Sequence, residues 1–441
     1  MADLNETHDP TRRSWVEAAN APDCDFPIQN LPFGVFQSPG RTPRGGVAIG
    51  DRIFDLKVAH DAGLFSHSVS EAAHAACAPT LNALMAMPPR QISALRRDLS
   101  EVLRSDGPDR QRIEKMADDL LVPMQQASYL RPVVIGDFTD FFTSVDHVSR
   151  VGRIVRPDSA LPPAFKHLPL AYNGRASSVV VSDTPVIRPR GQKRLGNGDV
   201  EFAPTRALDY ELEAGIFIGA GNALGKPIAL RAAPEHIFGL CLLNDWSARD
   251  IQRWESFPLG PFLGKSFCTT ISPWIVTSEA LAPFRVPAVA RAKDDPAAQA
   301  YLQDAADQAE GAFDIELSAT IQTAAMRSKG QAPARITRTN LSTLYWTAAQ
   351  MIAHHTCNGC NLQPGDLLGT GTTSGPTDES RACMLELTTG GKQPLKLPDG
   401  ETRAWLEDGD EVAFHGRAHR DGFVPIGFGA CRARVAPASS A

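Results

Sequence analysis

Apolar and polar residues alternate over short distances in the first part of the chain. The runs Val47-Ala-Ile and Ile53-Phe-Asp-Leu flank Gly50-Asp51, and this pattern predicts a β-hairpin in which the Gly-Asp pair forms the turn. Residues 70–118 differ, because they are rich in Ala, Leu, Met, Arg and Glu and carry apolar residues at helical spacing. The residues with this spacing are Leu95, Leu99, Val102 and Leu103. We therefore expect a small β-unit carrying helices over residues 1–125, with the first 20 residues as a loose arm.

The pattern changes near residues 120–130, after which short apolar runs are separated by Gly and Pro turns. Strand-like runs fall at residues 133–135, 177–182, 212–218, 237–243, 313–321 and 412–414. This spacing indicates a β-rich second domain over residues 126–441. Residues 287–311 are Ala-rich with mixed charge, and we expect them to form an exposed insertion or a short helix.

The composition is that of an ordinary globular protein, with 43% hydrophobic residues, 21% charged residues and a formal net charge of -6. No dense run of Lys and Arg is present, which argues against nucleic acid as a partner. No apolar run approaches the roughly 18 to 20 residues that a membrane span needs, and the acidic, polar N-terminus lacks a secretory signal pattern. The eight cysteines are dispersed, as is typical of reduced thiols, so we predict a cytoplasmic protein.

Charged residues follow directly on an apolar run in the segment 244–266. Asp245 comes just after the apolar run 237–243, which is predicted to be a buried strand. The next 20 residues contain Arg249, Asp250, Gln252 and Lys265. Charged groups beside buried apolar residues are costly unless they pair with each other, a metal or a ligand. The segment is therefore a candidate site.

A pair of glutamates suggests a metal site. Glu211 and Glu213 are two residues apart, so on a strand their carboxylates would face the same side. Such a pair repels unless a cation lies between the two groups, and a hard ion such as Mg²⁺ or Ca²⁺ would resolve the repulsion. Asp140 and Asp245 are two further acidic positions of interest. The alternative is a solvated strand face whose acids pair with Lys or Arg.

His147 and Glu386 could supply acid–base chemistry. His147 lies seven residues after Asp140, and a histidine near a metal could deprotonate water at neutral pH; alternatively it is a surface or hydrogen-bonded core residue. Glu386 lies in the apolar run 384–387, which is predicted to be a strand. It could orient a histidine or point to solvent.

Two motifs look like binding sites but are better explained structurally. The stretch His354-His-Thr-Cys-Asn-Gly-Cys360 resembles a zinc knuckle or a redox Cys-x-x-Cys motif, but adjacent histidines usually diverge and Asn358-Gly359 is a turn signal. The Gly-rich loop 369–375 lacks the residues of a P-loop and the spacing of a dinucleotide motif. We expect its backbone to approach another group closely.

Several long segments together resemble the fumarylacetoacetate hydrolase family over nearly the whole chain. The matching segments include Asp25-Phe-Pro-Ile-Gln-Asn-Leu-Pro-Phe-Gly-Val-Phe, Tyr172-Asn-Gly-Arg-Ala-Ser-Ser, Leu208-Asp-Tyr-Glu-Leu-Glu, Asn244-Asp-Trp-Ser-Ala-Arg-Asp and Asn358-Gly-Cys-Asn-Leu-Gln-Pro-Gly-Asp. The resemblance implies a mainly β fold with some α. It implies a small N-terminal SH3-like barrel domain, a larger C-terminal β-roll domain and a homodimer.

The resemblance also implies roles for individual residues. The divalent-metal ligands would be Asp140, Glu211, Glu213 and Asp245, with Lys265 and Thr269 at the cation site and the pocket around it. His147 would be the water-activating base, and Glu386 would orient it. Arg249, Gln252 and Lys265 would assist catalysis. The substrate-contacting positions would be Phe142, Arg156, Tyr172, Gln252, Ser256 and Thr372.

Phe142 and Ser256 depart from the family pattern, which usually has tyrosine at both positions. Phe142 keeps the ring but loses a hydroxyl donor, while Ser256 loses the ring and leaves space. A missing hydrogen bond to a charged substrate group costs on the order of 1.5–3 kcal/mol. The retained reactive residues therefore indicate the reaction of the family, whereas the altered pocket indicates changed contacts with the substrate.

The activity implied by the resemblance is metal-dependent hydrolysis of a carbon–carbon bond in a 1,3-diketo acid. With fumarylacetoacetate the products would be fumarate and acetoacetate, the last step of tyrosine and phenylalanine degradation. The alternatives are hydrolysis of another acylpyruvate or diketo acid, and a metal-binding homologue that has lost activity.

Overall fold

The structure is a computed structural model that describes residues 4–440. Its N-terminal part contains strands β1 to β5, which are Phe33–Gln37, Arg44–Ile49, Arg52–Asp55, Leu121–Pro123 and Ser128–Leu130. The helices of this part, α1 to α6, are Leu56–Asp61, Ser70–Ala76, Asn82–Met85, Pro89–Leu103, Arg110–Glu114 and Ala117–Leu120.

The C-terminal part contains the remaining elements. Strands β6 to β16 are Phe138–Phe142, Leu170–Asn173, Val179–Val181, Val186–Ile187, Arg190–Arg194, Val200–Pro204, Leu208–Asp209, Leu212–Ile218, Ile237–Asp245, Ser247–Ala248 and Thr269–Ile271. Strands β17 to β26 are Val276–Thr277, Arg285–Val286, Ala312–Phe313, Ile315–Gln322, Ala334–Asn340, Leu367–Gly369, Leu395–Lys396, Thr402–Arg403, Glu411–Ala418 and Ile426–Ala436. Helices α7 to α12 are Val145–Val155, Arg249–Glu255, Ala305–Glu310, Ala324–Ser328, Ala348–Thr356 and Met384–Leu387.

The N-terminal strands form a curled antiparallel sheet in the order β4-β3-β2-β1-β5, as the SH3-like prediction requires. The predicted hairpin is confirmed, since Ile49 pairs with Arg52 and Gly50 adopts a φ of 61° at the turn. Such a φ favours glycine because it has no Cβ. Helix α4 is also confirmed. Pairing of β5 with β1 carries the first sheet beyond residue 125, and the division of the chain at that residue stays a prediction.

Three local predictions about the chain were wrong or incomplete. The first 20 residues are not a loose arm, because Thr7, His8 and Val16 are buried and His8 Nε2 lies 2.8 Å from the carbonyl oxygen of Glu279. Residues 133–135 form no strand. The stretch 287–311 does contain a short helix, α9, but Asp307 within it is buried and accepts a hydrogen bond from Thr347 Oγ1 at 2.9 Å. The segment therefore packs against the domain.

The C-terminal part is built on two sheets. The larger one has the order β7-β6-β22-β13-β14-β16-β8, with β17 pairing with β14 at its other end, and the second has the order β21-β20-β25-β26-β9. Strand β14 is buried along its whole length. Leu240 and Leu242 pack in the core shared with the second sheet, whereas Cys241 and Leu243 pack in the core shared with the N-terminal part. Because both faces are covered, the strand is a continuous apolar run, as predicted.

The fold is therefore mainly β with some α, as expected. No helix within residues 4–440 is both long enough and apolar enough to span a bilayer.

Candidate active site

Four neighbouring strands bring the predicted acids to one place in the large sheet. Strand β6 runs parallel to β22, and β22 and β14 flank β13 on either side. In this register Asp140 lies opposite Gly369 on β22, while Glu211 directly precedes β13 and Glu213 lies within it. Asp245 is the last residue of β14. Acids as far apart in the sequence as Asp140 and Asp245 therefore meet through strand pairing.

The Gly-rich loop after β22 makes room for these carboxylates. A Cβ at Gly369 would lie 2.4 Å from Asp140 Oδ1 and 2.9 Å from Glu213 Oε2, so a side chain here would displace both carboxylates. Gly371, at a φ of 75°, donates its backbone N–H to Glu213 Oε2 at 3.0 Å. The predicted close backbone approach is confirmed, and the groups approached are the acids of the cluster.

Asp140, Glu211 and Glu213 form a compact buried cluster, in which one ligand oxygen from each lies within 4.8 Å of the others. Asp140 Oδ1 and Glu213 Oε1 are buried and have no hydrogen-bond partner among residues 4–440. Burial raises the pKa of both carboxyls well above the ordinary value, and the charges of Asp245 on Asp140 and of Asp140 on Glu213 raise it further. Unpaired carboxylate oxygens crowded in this way fit a hard divalent cation.

Asp245 and Glu211 are held by positively charged and hydroxyl donors. Lys265 Nζ forms ion pairs with both residues, at 2.7 Å from Asp245 Oδ2 and in close contact with Glu211 Oε2. Asp245 also accepts hydrogen bonds from Tyr172 Oη at 2.6 Å and from Thr269 Oγ1 at 2.8 Å. The four predicted metal ligands, together with Lys265, Thr269 and Tyr172, therefore share one site.

Arg249 completes the charge balance around Glu211. Its Nη2 donates to Glu211 Oε1 at 2.7 Å, and its Nη1 donates to Gln252 Oε1 at 3.2 Å. Burial alone would raise the pKa of Glu211, but Arg249 and Lys265 lower it below its ordinary value. Glu211 is therefore ionised at neutral pH, as a metal ligand must be.

His147 and Glu386 form a buried pair beside the acids. Ser144 caps helix α7 by accepting the His147 backbone N–H at 3.1 Å, which places the imidazole on the first turn. His147 Nδ1 lies 2.8 Å from Glu386 Oε2. Burial raises the pKa of Glu386, but the positive charge on His147 and hydrogen bonds from His147 and Ser374 lower it to about 2. The ionised carboxylate can only accept, so Nδ1 carries a proton; when the ring is neutral, Nε2 therefore keeps a lone pair.

Glu386 lies in helix α12 rather than in the predicted strand. The helix has only four residues, Met384–Leu387, of which Met384, Leu385 and Glu386 are buried. A short apolar run has the same appearance in a buried strand and in a buried helical turn, so hydrophobic pattern alone could not separate the two. The pairing of Glu386 with His147 was expected from the family resemblance, and the geometry agrees with it.

The predicted substrate positions divide into two groups. Phe142 packs edge-on against His147 with ring centroids 5.4 Å apart, Thr372 is buried, and Ser256 Oγ donates to the Gln252 carbonyl oxygen at 2.5 Å. These residues lie in or beside the site. Arg156 is exposed at the end of α7, and no hydrogen bond or ion pair within residues 4–440 joins its side chain to the cluster.

Sequence reasoning missed several residues that contact the site directly. Ser374 Oγ donates to Glu386 Oε2 at 2.6 Å, and Arg150 Nη1 lies 3.4 Å from Glu386 Oε1. Asp209 accepts a hydrogen bond from Arg249 Nε at 2.8 Å. A signal for Asp209 was present, because it continues the alternation of acids at 211 and 213 backwards by two residues.

The two histidines of the apparent zinc knuckle do not converge. His355 Nε2 lies 3.0 Å from Thr139 Oγ1, whereas His354 Nδ1 lies 2.9 Å from Tyr301 Oη, so the two rings have different partners. Among the described residues, no metal-ligand group includes His354, His355, Cys357 or Cys360.

Metal-assisted hydrolysis needs carboxylates that hold a cation and a base that activates water, and this site contains a carboxylate cluster and a histidine–carboxylate pair. The chain matches the family Fumarylacetoacetase N-terminal over residues 29–132 and the family Fumarylacetoacetate (FAA) hydrolase C-terminal over residues 138–436. It is 46% identical over 428 residues to fumarylacetoacetase of Arabidopsis thaliana, which covers 96% of this chain and 98% of the plant protein. It is 45% identical over 425 residues to fumarylacetoacetase of Homo sapiens, which covers 95% of this chain and 98% of the human protein. The chain belongs to the fumarylacetoacetate hydrolase family.

Proposed function

We propose that this protein is a fumarylacetoacetase, which hydrolyses fumarylacetoacetate to fumarate and acetoacetate in tyrosine and phenylalanine degradation. The proposal rests on two buried groups: the acid cluster that fits a divalent cation, and the His147–Glu386 pair, whose imidazole lies close enough for its charge to act on Glu211. The full-length relatives named fumarylacetoacetase support the choice of substrate.

The chain's own residues account for the proton transfers. His147 Nε2 removes a proton from water, and the ionised Glu386 stabilises the imidazolium that forms. The resulting hydroxide attacks the keto carbon of the fumaryl group, whose bond to the neighbouring CH₂ then breaks. Arg249, Gln252 and Lys265 stabilise the alkoxide and hold the substrate carboxylate.

Cleavage of the carbon–carbon bond completes the reaction. The electron pair of that bond leaves with the acetoacetate fragment, and His147 returns the proton to the carbon that carries the pair. The water oxygen stays in the new carboxylate of fumarate. A divalent cation held by Asp140, Glu211, Glu213 and Asp245 supplies Lewis-acid polarisation of the substrate's keto oxygens when it is bound. We propose Mg²⁺ or Ca²⁺ because all four ligands are carboxylates.

The substrate pocket is proposed to involve Phe142, Arg156, Tyr172, Gln252, Ser256 and Thr372. Phe142 and Ser256 lack the hydroxyl-bearing rings usual in the family. The Ser256 hydroxyl is instead turned onto the backbone of its own helix. We therefore expect weaker binding of fumarylacetoacetate than a pocket with two tyrosines would provide.

A single assay tests the activity. Loss of the diketo chromophore is followed for fumarylacetoacetate and a panel of acylpyruvates, before and after chelation and after addition of Mg²⁺ or Ca²⁺. We expect fumarylacetoacetate to give the highest kcat/KM, chelation to abolish turnover and one of the two ions to restore it. A higher kcat/KM for another diketo acid would favour a different hydrolase, and no turnover of any panel member would favour a homologue without activity.

We also propose that the protein is a cytoplasmic homodimer. The loop after helix α8 exposes large apolar side chains, with Phe257 91% exposed, Leu259 96% and Phe262 64%. An exposed apolar patch of this kind is typical of an interface, and a second copy is the partner that the family resemblance implies. Light scattering should give twice the monomer mass, and the F257S/L259S variant should shift it towards the monomer. The eight free thiols support a reducing compartment.

A further inference from the structure

Asp209 occupies a buried position between the two halves of the site. Its side chain is 0% exposed, and its strand, β12, pairs with β15 just before Arg249. Asp209 Oδ2 accepts a hydrogen bond from Arg249 Nε at 2.8 Å and from the Leu385 backbone N–H at 3.0 Å. Oδ1 accepts from the Met384 backbone N–H at 2.6 Å. One carboxylate therefore joins an arginine side chain to the start of helix α12.

Each of these partners leads to a functional group. Arg249 Nη2 donates a hydrogen bond to Glu211 Oε1 at 2.7 Å, so the Arg249 side chain alone connects Asp209 to the acid cluster. Met384 and Leu385 open the helix whose next residue is Glu386, the acceptor for His147 Nδ1. The contacts form one continuous path from the acid cluster to the imidazole.

Helix α12 needs such an external partner. It has only four residues, and Cys383, at its N-cap, makes no side-chain capping hydrogen bond. A helix this short cannot hold its own orientation, and its first backbone N–H groups have no partner within the helix. Asp209, which lies on strand β12, accepts hydrogen bonds from two of these N–H groups. It thereby sets the position of the Glu386 carboxylate relative to Arg249.

We propose that Asp209 is a positioning residue that holds the His147–Glu386 pair in register with Arg249 and the acid cluster. This inference rests on the proposed function, because it assigns Asp209 a part in the same reaction. All three groups that face the carboxylate are N–H donors, so an ionised acid satisfies them and an amide does not. D209N keeps the size of the side chain but turns an NH₂ group towards at least one donor.

The chain offers a matched control in its N-terminal part. Asp55 is also 0% exposed, pairs with Arg44 Nε at 2.7 Å and accepts the backbone N–H groups of Lys57 and Val58 at the start of helix α1. D55N therefore removes an equivalent buried arrangement that has no contact with the site. Both variants should be destabilised, but only D209N should lose catalysis. We expect kcat to fall about 10- to 100-fold in D209N, as for loss of a charge-assisted hydrogen bond in a buried site.

A double-mutant cycle with E386Q separates positioning from general destabilisation. If Asp209 acts through Glu386, D209N/E386Q should lose less kcat than the product of the two single losses. Losses that multiply would overturn the proposal. If D209N does not fold, D209S takes its place, because a serine hydroxyl can still accept one N–H group.

A second measurement needs no substrate. In protein labelled with ¹⁵N-histidine, the Nδ1–H resonance of His147, assigned by its loss in H147Q, should shift or broaden in D209N and stay unchanged in D55N. An unchanged resonance in folded D209N would overturn the positioning role, whatever the substrate. Failure of the wild-type protein to turn over any diketo acid would instead overturn the proposed function and leave this measurement intact.

Discussion

Replacing Glu386 by glutamine tests how much the charge behind the imidazole contributes. The carboxylate is 0% exposed and receives hydrogen bonds from His147 Nδ1 at 2.8 Å and Ser374 Oγ at 2.6 Å. Arg150 Nη1 lies 3.4 Å from its other oxygen. E386Q keeps the volume and one acceptor oxygen but removes the negative charge. The variant should therefore fold while the imidazolium formed during water activation loses its stabilising partner.

The size of the effect follows from the hydrogen bond that changes. A hydrogen bond to a charged group contributes about 1.5–3 kcal/mol, so kcat should fall about 10- to 100-fold. Stability should change in the same direction. The pKa of Glu386 falls from 4.5 to about 2 on folding, which corresponds to a stabilisation on the order of a few kcal/mol above pH 4.5. Because the folded-state pKa is the lower one, this stabilisation is lost as the pH falls from 4.5 towards 2.

Two measurements check these expectations. Steady-state consumption of the diketo acid at saturating substrate gives kcat, and denaturant unfolding between pH 7 and pH 3 gives the free energy of unfolding. The difference in unfolding free energy between wild type and E386Q should shrink as the pH falls below 4.5. D410N is the control, because Asp410 is equally buried and pairs with Arg403 at 2.8 and 3.0 Å outside the site. A wild-type kcat in E386Q, or an equal loss of kcat in D410N, would refute the reasoning.

Three further predictions concern other parts of the site. H147A should lower kcat at least about 100-fold, as expected for removal of a general base, with metal content nearly unchanged and a lower melting temperature because buried Glu386 loses a partner; an active variant would exclude His147 as the base. D245N should weaken divalent-cation binding measured by calorimetry, whereas D250N should not, and equal affinities would remove Asp245 from the ligand set. F142Y/S256Y should raise kcat/KM for fumarylacetoacetate about tenfold or more if the missing hydroxyls limit binding; an unchanged value would mean that other donors compensate.

Local patterns in the sequence were sufficient where burial alone decides the conformation. The apolar run before Asp245 was predicted as a buried strand, and β14 is buried throughout because each of its faces packs in a separate core. Turn chemistry at Gly50-Asp51 and helical spacing in α4 were equally readable. The long motifs indicated the family, and the family in turn indicated which acids to group.

The chemistry of the site depends on contacts that no local pattern specifies. Asp140 meets Glu213 only because β22, more than 150 residues beyond either acid in the chain, lies between their strands and carries a glycine, Gly369, where the two carboxylates approach. The conformation around Glu386 was predicted wrongly because a four-residue buried run does not distinguish a strand from a helical turn. Asp209 went unnoticed although it continues the alternation of acids at 211 and 213.

The sequence by itself determined the identity of the reactive groups, the β-rich class of the fold and the strand that ends at Asp245. Only the tertiary structure decided that Lys265 and Arg249 neutralise Glu211 and that Asp209 links both halves of the site. The physical reason is that residue type and spacing encode burial and local conformation. Charge pairing across a buried site depends instead on which distant strands hydrogen-bond to each other and in which register.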